Sequence, residues 1–467
     1  MSSTSVNSSV SSTRNSNTRI TRRGFLRGVA LAGTGALLAA CAAPPPAAPG
    51  SAPAATSAPA AAAPAAGALN VSYMASGTYD EAAKAISADF EKATGAKVQV
   101  AAFPWATLRQ NNTNDLVGGS GQYDVMSGGY YLADVYSYFE PLTPLIKKDN
   151  FGASIIPGLM DIGRSEWFNG NQIGVPYGID VYGLLVRTDL FKAAGVDTKM
   201  STWVDFLKAA DALKKSGKLG DGVAPFVFAY GAVEQLPAIF FAAYGGSYIN
   251  KDGKYALEAD KATTAIQVVK DTVQYAPANA LSLSIDDANA VFLDGKAAML
   301  IGWPSFVRKN ADDPAKSKVV GNWATTEFPL NDGAFPWLSM WQLFIPKASK
   351  HKDAAWTWIK EYTSEQNAKT FFEKWGIGSI YASVYEDKDL LAKHSHDFPS
   401  TLKNMNKAKN PPLSGESQDF MASTIGEVLQ GKTDPAAAVK AINDKWATVA
   451  VPPALLQAAK GAGLMAK

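Results

Sequence analysis

The stretch from residue 69 to residue 126 constrains the fold most, because its hydrophobic period switches repeatedly between two and about 3.6. Leu69-Asn70-Val71-Ser72-Tyr73-Met74 reads as a strand. Thr78-Tyr79-Asp80-Glu81 has the form of a capping box, and Ala82, Ile86, Phe90 and Ala93 then share one helix face as far as Gly95. Residues 97–102 alternate again as a strand. Pro104 suits the first turn of a second helix, which closes near Gly118-Gly119. Tyr123-Asp124-Val125-Met126 is a third strand. Strands joined through a helical crossover run parallel, so this order predicts a parallel sheet covered by helices.

The same signals return after residue 170. Residues 183–186 and 297–301 read as short buried strands, and Leu343-Phe344-Ile345 as another. Thr202-Trp203-Val204-Asp205 caps a helix that carries Phe206, Leu207, Ala210 and Leu213. Residues 265–275 are amphipathic, and a helix with Ala355, Trp356, Ile359 and Tyr362 follows the strand at 343–345. Asp434-Pro435 opens a late helix. No internal repeat is visible. Residues 69–467 are too many for one hydrophobic core and predict two lobes.

The N-terminus reads as an address rather than as fold. It carries Arg14, Arg19, Arg22, Arg23 and Arg27 and no acidic residue before Cys41. The apolar run at 29–40 is too short to span a bilayer, which needs about 20 residues. A basic segment, a short apolar segment and small residues make an export signal. Thr21-Arg22-Arg23-Gly24-Phe25-Leu26-Arg27 resembles a twin-arginine signal, and Leu38-Ala39-Ala40-Cys41 resembles a bacterial lipobox. Residues 1–40 are therefore expected to be a twin-arginine-type lipoprotein signal peptide. Residues 41–67 are expected to be a lipidated Cys41 and an Ala/Pro-rich linker, too poor in apolar surface to fold. Cys41 is the only cysteine, so an internal disulfide and cysteine metal clusters are excluded. Without the five N-terminal arginines, 39 basic residues face 42 acidic ones, a balance that argues against nucleic-acid binding.

Several stretches resemble the bacterial extracellular solute-binding proteins for sugars, relatives of maltose-binding protein. Phe90-Glu91-Lys92-Ala93-Thr94-Gly95 is similar to the family's first helix–strand unit. Gln172-Ile173-Gly174-Val175-Pro176-Tyr177-Gly178-Ile179-Asp180 resembles its first crossing between lobes. Arg187-Thr188-Asp189-Leu190-Phe191-Lys192-Ala193-Ala194-Gly195, with Thr202-Trp203, resembles its most recognisable segment. Phe292-Leu293-Asp294-Gly295-Lys296-Ala297-Ala298-Met299, Trp341-Gln342-Leu343-Phe344-Ile345-Pro346-Lys347 and Gly431-Lys432-Thr433-Asp434-Pro435 resemble later segments in the family's order. Ser339-Met340 departs from the Gly-Gly that many relatives carry before the tryptophan of the returning strand. The resemblance implies an α/β, two-lobed periplasmic-binding-protein-like fold of type II, with hinged lobes and a central ligand cleft. It assigns 68–178 plus 340–405 to an N-terminal lobe and 179–339 plus 406–467 to a C-terminal lobe.

A polyol is recognised by carboxylates, amides and hydroxyls at its rim and by aromatic rings over its flatter faces. Eleven tryptophans and seventeen tyrosines against three histidines suit that chemistry. The resemblance points to Asp180 as a ligand-facing acid, flanked by Tyr177, and to Glu234 and Gln235 at a helix start. Ligands sit at strand C-termini in α/β lobes. That rule selects Ser76 after the first strand, Tyr130 and Tyr131 after the third, and Trp303 after the strand at 297–301. Trp337 and Trp341 lie at the second crossing, and Trp105 follows Pro104 at a helix start.

Other chemistry is thin. His394 and His396 have only His351 to join them, too few for a metal site. Gly118-Gly119-Ser120-Gly121 lacks the Lys-Ser/Thr of a nucleotide loop. No catalytic constellation and no cofactor motif stands out. The expected function is that of an extracytoplasmic, lipid-anchored monomer that binds a mono- or oligosaccharide and delivers it to ABC permease subunits with a separate ATPase. A polyol, a glycerol phosphate compound or an amine is the alternative ligand, and an exported carbohydrate-active enzyme the alternative class.

Overall fold

Residues 68–161 and 164–467 are described by a computed structural model of the chain. The expected export signal, lipid site and linker therefore lie outside the described residues. Ten strands are present among them: β1 Leu69–Met74, β2 Val98–Phe103, β3 Val125–Gly128, β4 Trp167–Phe168, β5 Asn171–Gln172, β6 Gly174–Val181, β7 Gly183–Arg187, β8 Met299–Gly302, β9 Trp323–Thr326 and β10 Leu338–Phe344. β1, β2 and β3 pair in parallel as their crossover helices require, in the order β2-β1-β3. β10 and β6 then extend this sheet antiparallel, because long connections leave the direction of a returning strand free. The second sheet, β8-β7-β9, is wholly antiparallel, unlike the parallel pattern at the start of the chain.

Each sheet has its own core. Val71, Tyr73, Val125, Val175 and Leu343 of the first sheet pack against Ile86 and Phe90 of the helix Tyr79–Thr94 and Trp358 of the helix Lys352–Tyr362. Leu184, Val186, Met299 and Ile301 of the second pack against Trp203 and Phe206 of the helix Trp203–Lys215 and the apolar helix Pro237–Ala243. The described residues nevertheless belong to one compact unit.

Only Tyr182 separates β6 from β7, so the chain passes from one sheet to the other in a single residue. Its backbone N–H donates to the Trp337 carbonyl (3.1 Å), which ties this passage to the returning one before β10. The boundary expected at 178/179 falls inside β6, which stays in the first sheet through Val181.

Local capping follows the sequence at one helix and departs from it at another. Thr202 and Asp205 form the expected reciprocal box. Thr78 caps nothing with its side chain. The turn before its helix is instead held by Asp80, which accepts from the Ser76 and Gly77 amides, and by the Ser76 hydroxyl, which accepts from the Tyr79 amide (3.3 Å).

Candidate functional site

A cavity of about 110 Å³ lies where the two sheets meet. Gly128-Gly129 and the 3₁₀ turn after them deliver Tyr130 and Tyr131 to its wall, beside Trp105. A side chain at Gly128 would collide with Leu132, so glycine lets the turn fold back tightly there. The crossing segments contribute Asp180, Trp337, Ser339, Met340 and Trp341. The second-sheet side supplies Glu234, Gln235 and Trp303.

Rings form most of the wall. Tyr182 lies 4.1 Å from Trp303 and stacks on Trp337 at 5.8 Å, behind the surface. Tyr131 meets Trp105 edge-on at 5.6 Å and Trp341 at 6.4 Å. Rings with one polar edge present an apolar face to C–H groups and keep a donor at the rim.

The polar groups are sorted by the bonds they already make. Gln235 Oε1 accepts from the Tyr182 hydroxyl (2.5 Å) and from Trp303 Nε1 (3.0 Å), which orients the amide so that Nε2 is unused. Gln418 Oε1 accepts from the Tyr130 hydroxyl (2.8 Å), leaving its Nε2 free as well. The Tyr131 hydroxyl is buried without a partner. The Trp337 N–H lies near the Tyr130 hydroxyl but completes no bond to it. Glu234 faces the cavity with a carboxylate that accepts no bond from the described residues. Unmet donors beside an unmet acceptor suit a ligand whose every group is both, a hydroxyl.

Three residues expected in the site stand differently. Asp180 borders the cavity, but Oδ1 accepts from the Val181 amide (2.9 Å) and Oδ2 from the amide (3.2 Å) and hydroxyl of Ser305. Its carboxylate thus ties β6 to the start of the helix Pro304–Ala311. Burial pushes this carboxyl up to about 6, against the Ser305 bonds and the Arg308 charge.

Tyr177 does not line the cavity. The β6–β10 register slips between Trp341 and Gln342, leaving Tyr177 as the extra residue of a bulge. Its ring turns into the core against Tyr73, Tyr79 and Tyr362, and its hydroxyl pairs with Ser127 (2.8 Å). Ser76 is likewise occupied by its helix start and does not border the cavity.

Gln418, Tyr79, Phe306 and Ile285 also border the cavity and carry no local signal in the sequence. Gln418 comes from the helix Gly415–Leu429, which only the tertiary fold brings across.

The model of a family described as bacterial extracellular solute-binding protein matches residues 75–369. A "probable ABC transporter-binding protein" of Deinococcus radiodurans is 24% identical over 300 residues, 61% of this chain and 71% of that protein. A mannitol-binding protein of Pseudomonas aeruginosa is 25% identical over 297 residues, 61% of this chain and 67% of that one. The crystal structure of an ABC transporter solute-binding protein from Agrobacterium radiobacter K84 with ribitol superposes with a TM-score of 0.71 at 26% identity, covering 81% of this chain and 98% of that one. Maltose-bound MalE3 of T. maritima gives the same TM-score and coverage at 22% identity, a likeness of fold. The two-lobed type II α/β architecture expected from the sequence is thereby established.

Proposed function

The chain belongs to the bacterial extracellular solute-binding protein family, and from that premise we propose that it captures a small uncharged polyhydroxylated ligand, a sugar alcohol or a single sugar ring, and passes it to an ABC-type importer. The family is one of extracytoplasmic solute-binding proteins rather than enzymes. The observation that carries the ligand class is the cavity wall itself: aromatic rings, one free carboxylate at Glu234 and free amide donors at Gln235 and Gln418. Among the described residues, no lysine or arginine lines the cavity, which disfavours a phosphorylated ligand. The relatives that bind mannitol and ribitol support the same class.

In this proposal Trp303, Trp337, Trp341, Tyr130 and Tyr131 cover the ligand, and Glu234 and Gln235 bond its hydroxyls. Trp105 closes the outer edge, and Asp180 holds the wall rather than the ligand. Lobes of about the expected extents, 68–178 with 340–405 and 179–339 with 406–467, close around it like a hinge. The chain acts as a monomer on separate permease and ATPase subunits, tethered through a lipid on Cys41 after twin-arginine export.

A thermal-shift panel of pentitols, hexitols, monosaccharides, oligosaccharides and amines tests this. A ligand that binds only the folded state stabilises it by about 2.7 kcal/mol at a hundred times its Kd. A rise in Tm with polyols or monosaccharides is expected. No rise with any of them, a rise with amines alone, or chemical conversion of the ligand would refute the proposal.

A further inference from the structure

Arg109 and Asp419 are 310 residues apart in sequence yet form an ion pair of 2.9 Å. Arg109 stands on the helix Trp105–Gly118, which covers the first sheet, and Asp419 on the helix Gly415–Leu429, which packs on the second-sheet side. Both residues are joined directly to the cavity wall. The Arg109 guanidinium lies 5.7 Å from the Trp105 ring, and Asp419 follows Gln418, whose amide holds the Tyr130 hydroxyl. The pair borders an open vestibule of about 430 Å³ that shares Trp105 and Tyr131 with the cavity. Arg109 also packs so closely over Gly415 that any side chain there would displace the guanidinium.

We infer that Arg109 and Asp419 form a latch across the cavity mouth, and that this latch limits the ligand to one sugar-sized unit. The second clause rests on the function proposed above. The cavity offers about 110 Å³ against about 430 Å³ in the vestibule, so the ring-lined space is the smaller of the two. A second unit extending past Trp105 and Tyr131 would enter the vestibule that Arg109 and Asp419 border. Arg109 and Asp419 already bond each other, whereas the Glu234 carboxylate has no partner among the described residues, so the ligand's hydroxyls are met by Glu234 and the pair keeps its own bond. With side-chain exposures of 25% and 52%, the pair is partly open to water, and its loss should change an equilibrium only about two- to fivefold.

Two measurements decide the matter. For the first, Cys41 is replaced by Ser, and spin labels are placed on Val117→Cys and Val204→Cys, both exposed, the one on the helix Trp105–Gly118 over the first sheet and the other on the helix Trp203–Lys215 over the second. Inter-label distances are read without ligand. Arg109→Gln and Asp419→Asn should each shift about two- to fivefold more molecules to longer distances, the double variant no further. The charge-swapped chain, Arg109→Asp with Asp419→Arg, should restore the parent distribution, which separates a latch from general loosening. Distances unchanged in both single variants would overturn the latch.

For the second, the parent and the double variant are titrated with hexitols, monosaccharides and trisaccharides. The parent should prefer the one-unit ligands, and the double variant should lose part of that preference. Equal affinity of the parent for trisaccharide and one-unit ligand would overturn the length limit. A parent that binds none of these ligands would refute the proposed ligand class, while the spin-label distances still decide the latch.

Discussion

Glu166 is a carboxyl placed where few carboxylates can ionise. It is buried, with the Tyr136 hydroxyl on one oxygen and Gln342 Nε2 on the other (3.2 Å), and Gln342 Oε1 in turn accepts from Ser165 and from the Glu166 amide. Burial pushes its pKa from 4.5 up to about 7, against the pull of the Tyr136 and Gln342 bonds. Between those values the folded chain holds a proton that the unfolded chain has lost. Stability contributed by this group is therefore complete below about pH 4.5, falls as pH rises, and is gone above about pH 7. The change is at most about 3 kcal/mol, and Asp180 adds to it in the same direction. Unfolding of Glu166→Gln at a series of pH values should show a flatter profile than the parent between pH 5 and 7. An unaltered slope would show that Glu166 is ionised in the folded chain throughout.

Sequence patterns carry the elements further than they carry single side chains. The Thr202 box, the left-handed Gly95 terminus and the Asp434 cap are all local, and all appear where residue spacing put them. The bulge that turns Tyr177 inward is not local, since it depends on the register between β6 and β10, more than 150 residues apart. The same holds for Gly378, whose carbonyl accepts from the Ile179 amide (3.1 Å) where the two backbones run side by side. A side chain there would run into the Ile179 carbonyl oxygen, which is backbone and not the end of a side chain that can swing aside. Gly378→Ala should lower stability by about 1–3 kcal/mol in a denaturant titration. A variant as stable as the parent would mean that this contact relaxes freely.

At the scale of the whole molecule, one buried ion pair joins several parts of the chain. Arg308 bonds Asp397 through Nε and the Gly376 carbonyl through Nη1 (3.1 Å), while Thr325 (2.7 Å) and Thr401 (2.8 Å) donate to the other Asp397 oxygen. The neighbouring Arg308 charge and these bonds hold the Asp397 carboxyl below its ordinary range despite burial. Asp397→Ala would leave the guanidinium buried and unpaired, and should cost about 3–5 kcal/mol in equilibrium unfolding. A loss under about 1 kcal/mol would mean that water enters to solvate Arg308.

Read alone, the sequence determined the crossover helices, the parallel β1–β3 core of the first sheet, the helix starts after Pro104, Thr202 and Asp434, and the aromatic character of the site. These follow from periodicity, capping and strand ends, which act within a few residues. Tertiary structure decided which tyrosine faces the cavity, which carboxylate is already satisfied, and that Gln418 and Asp419 arrive beside Tyr130 and Arg109. Those outcomes depend on register and on packing between segments hundreds of residues apart, where many arrangements share the same local pattern and only the folded contacts choose among them.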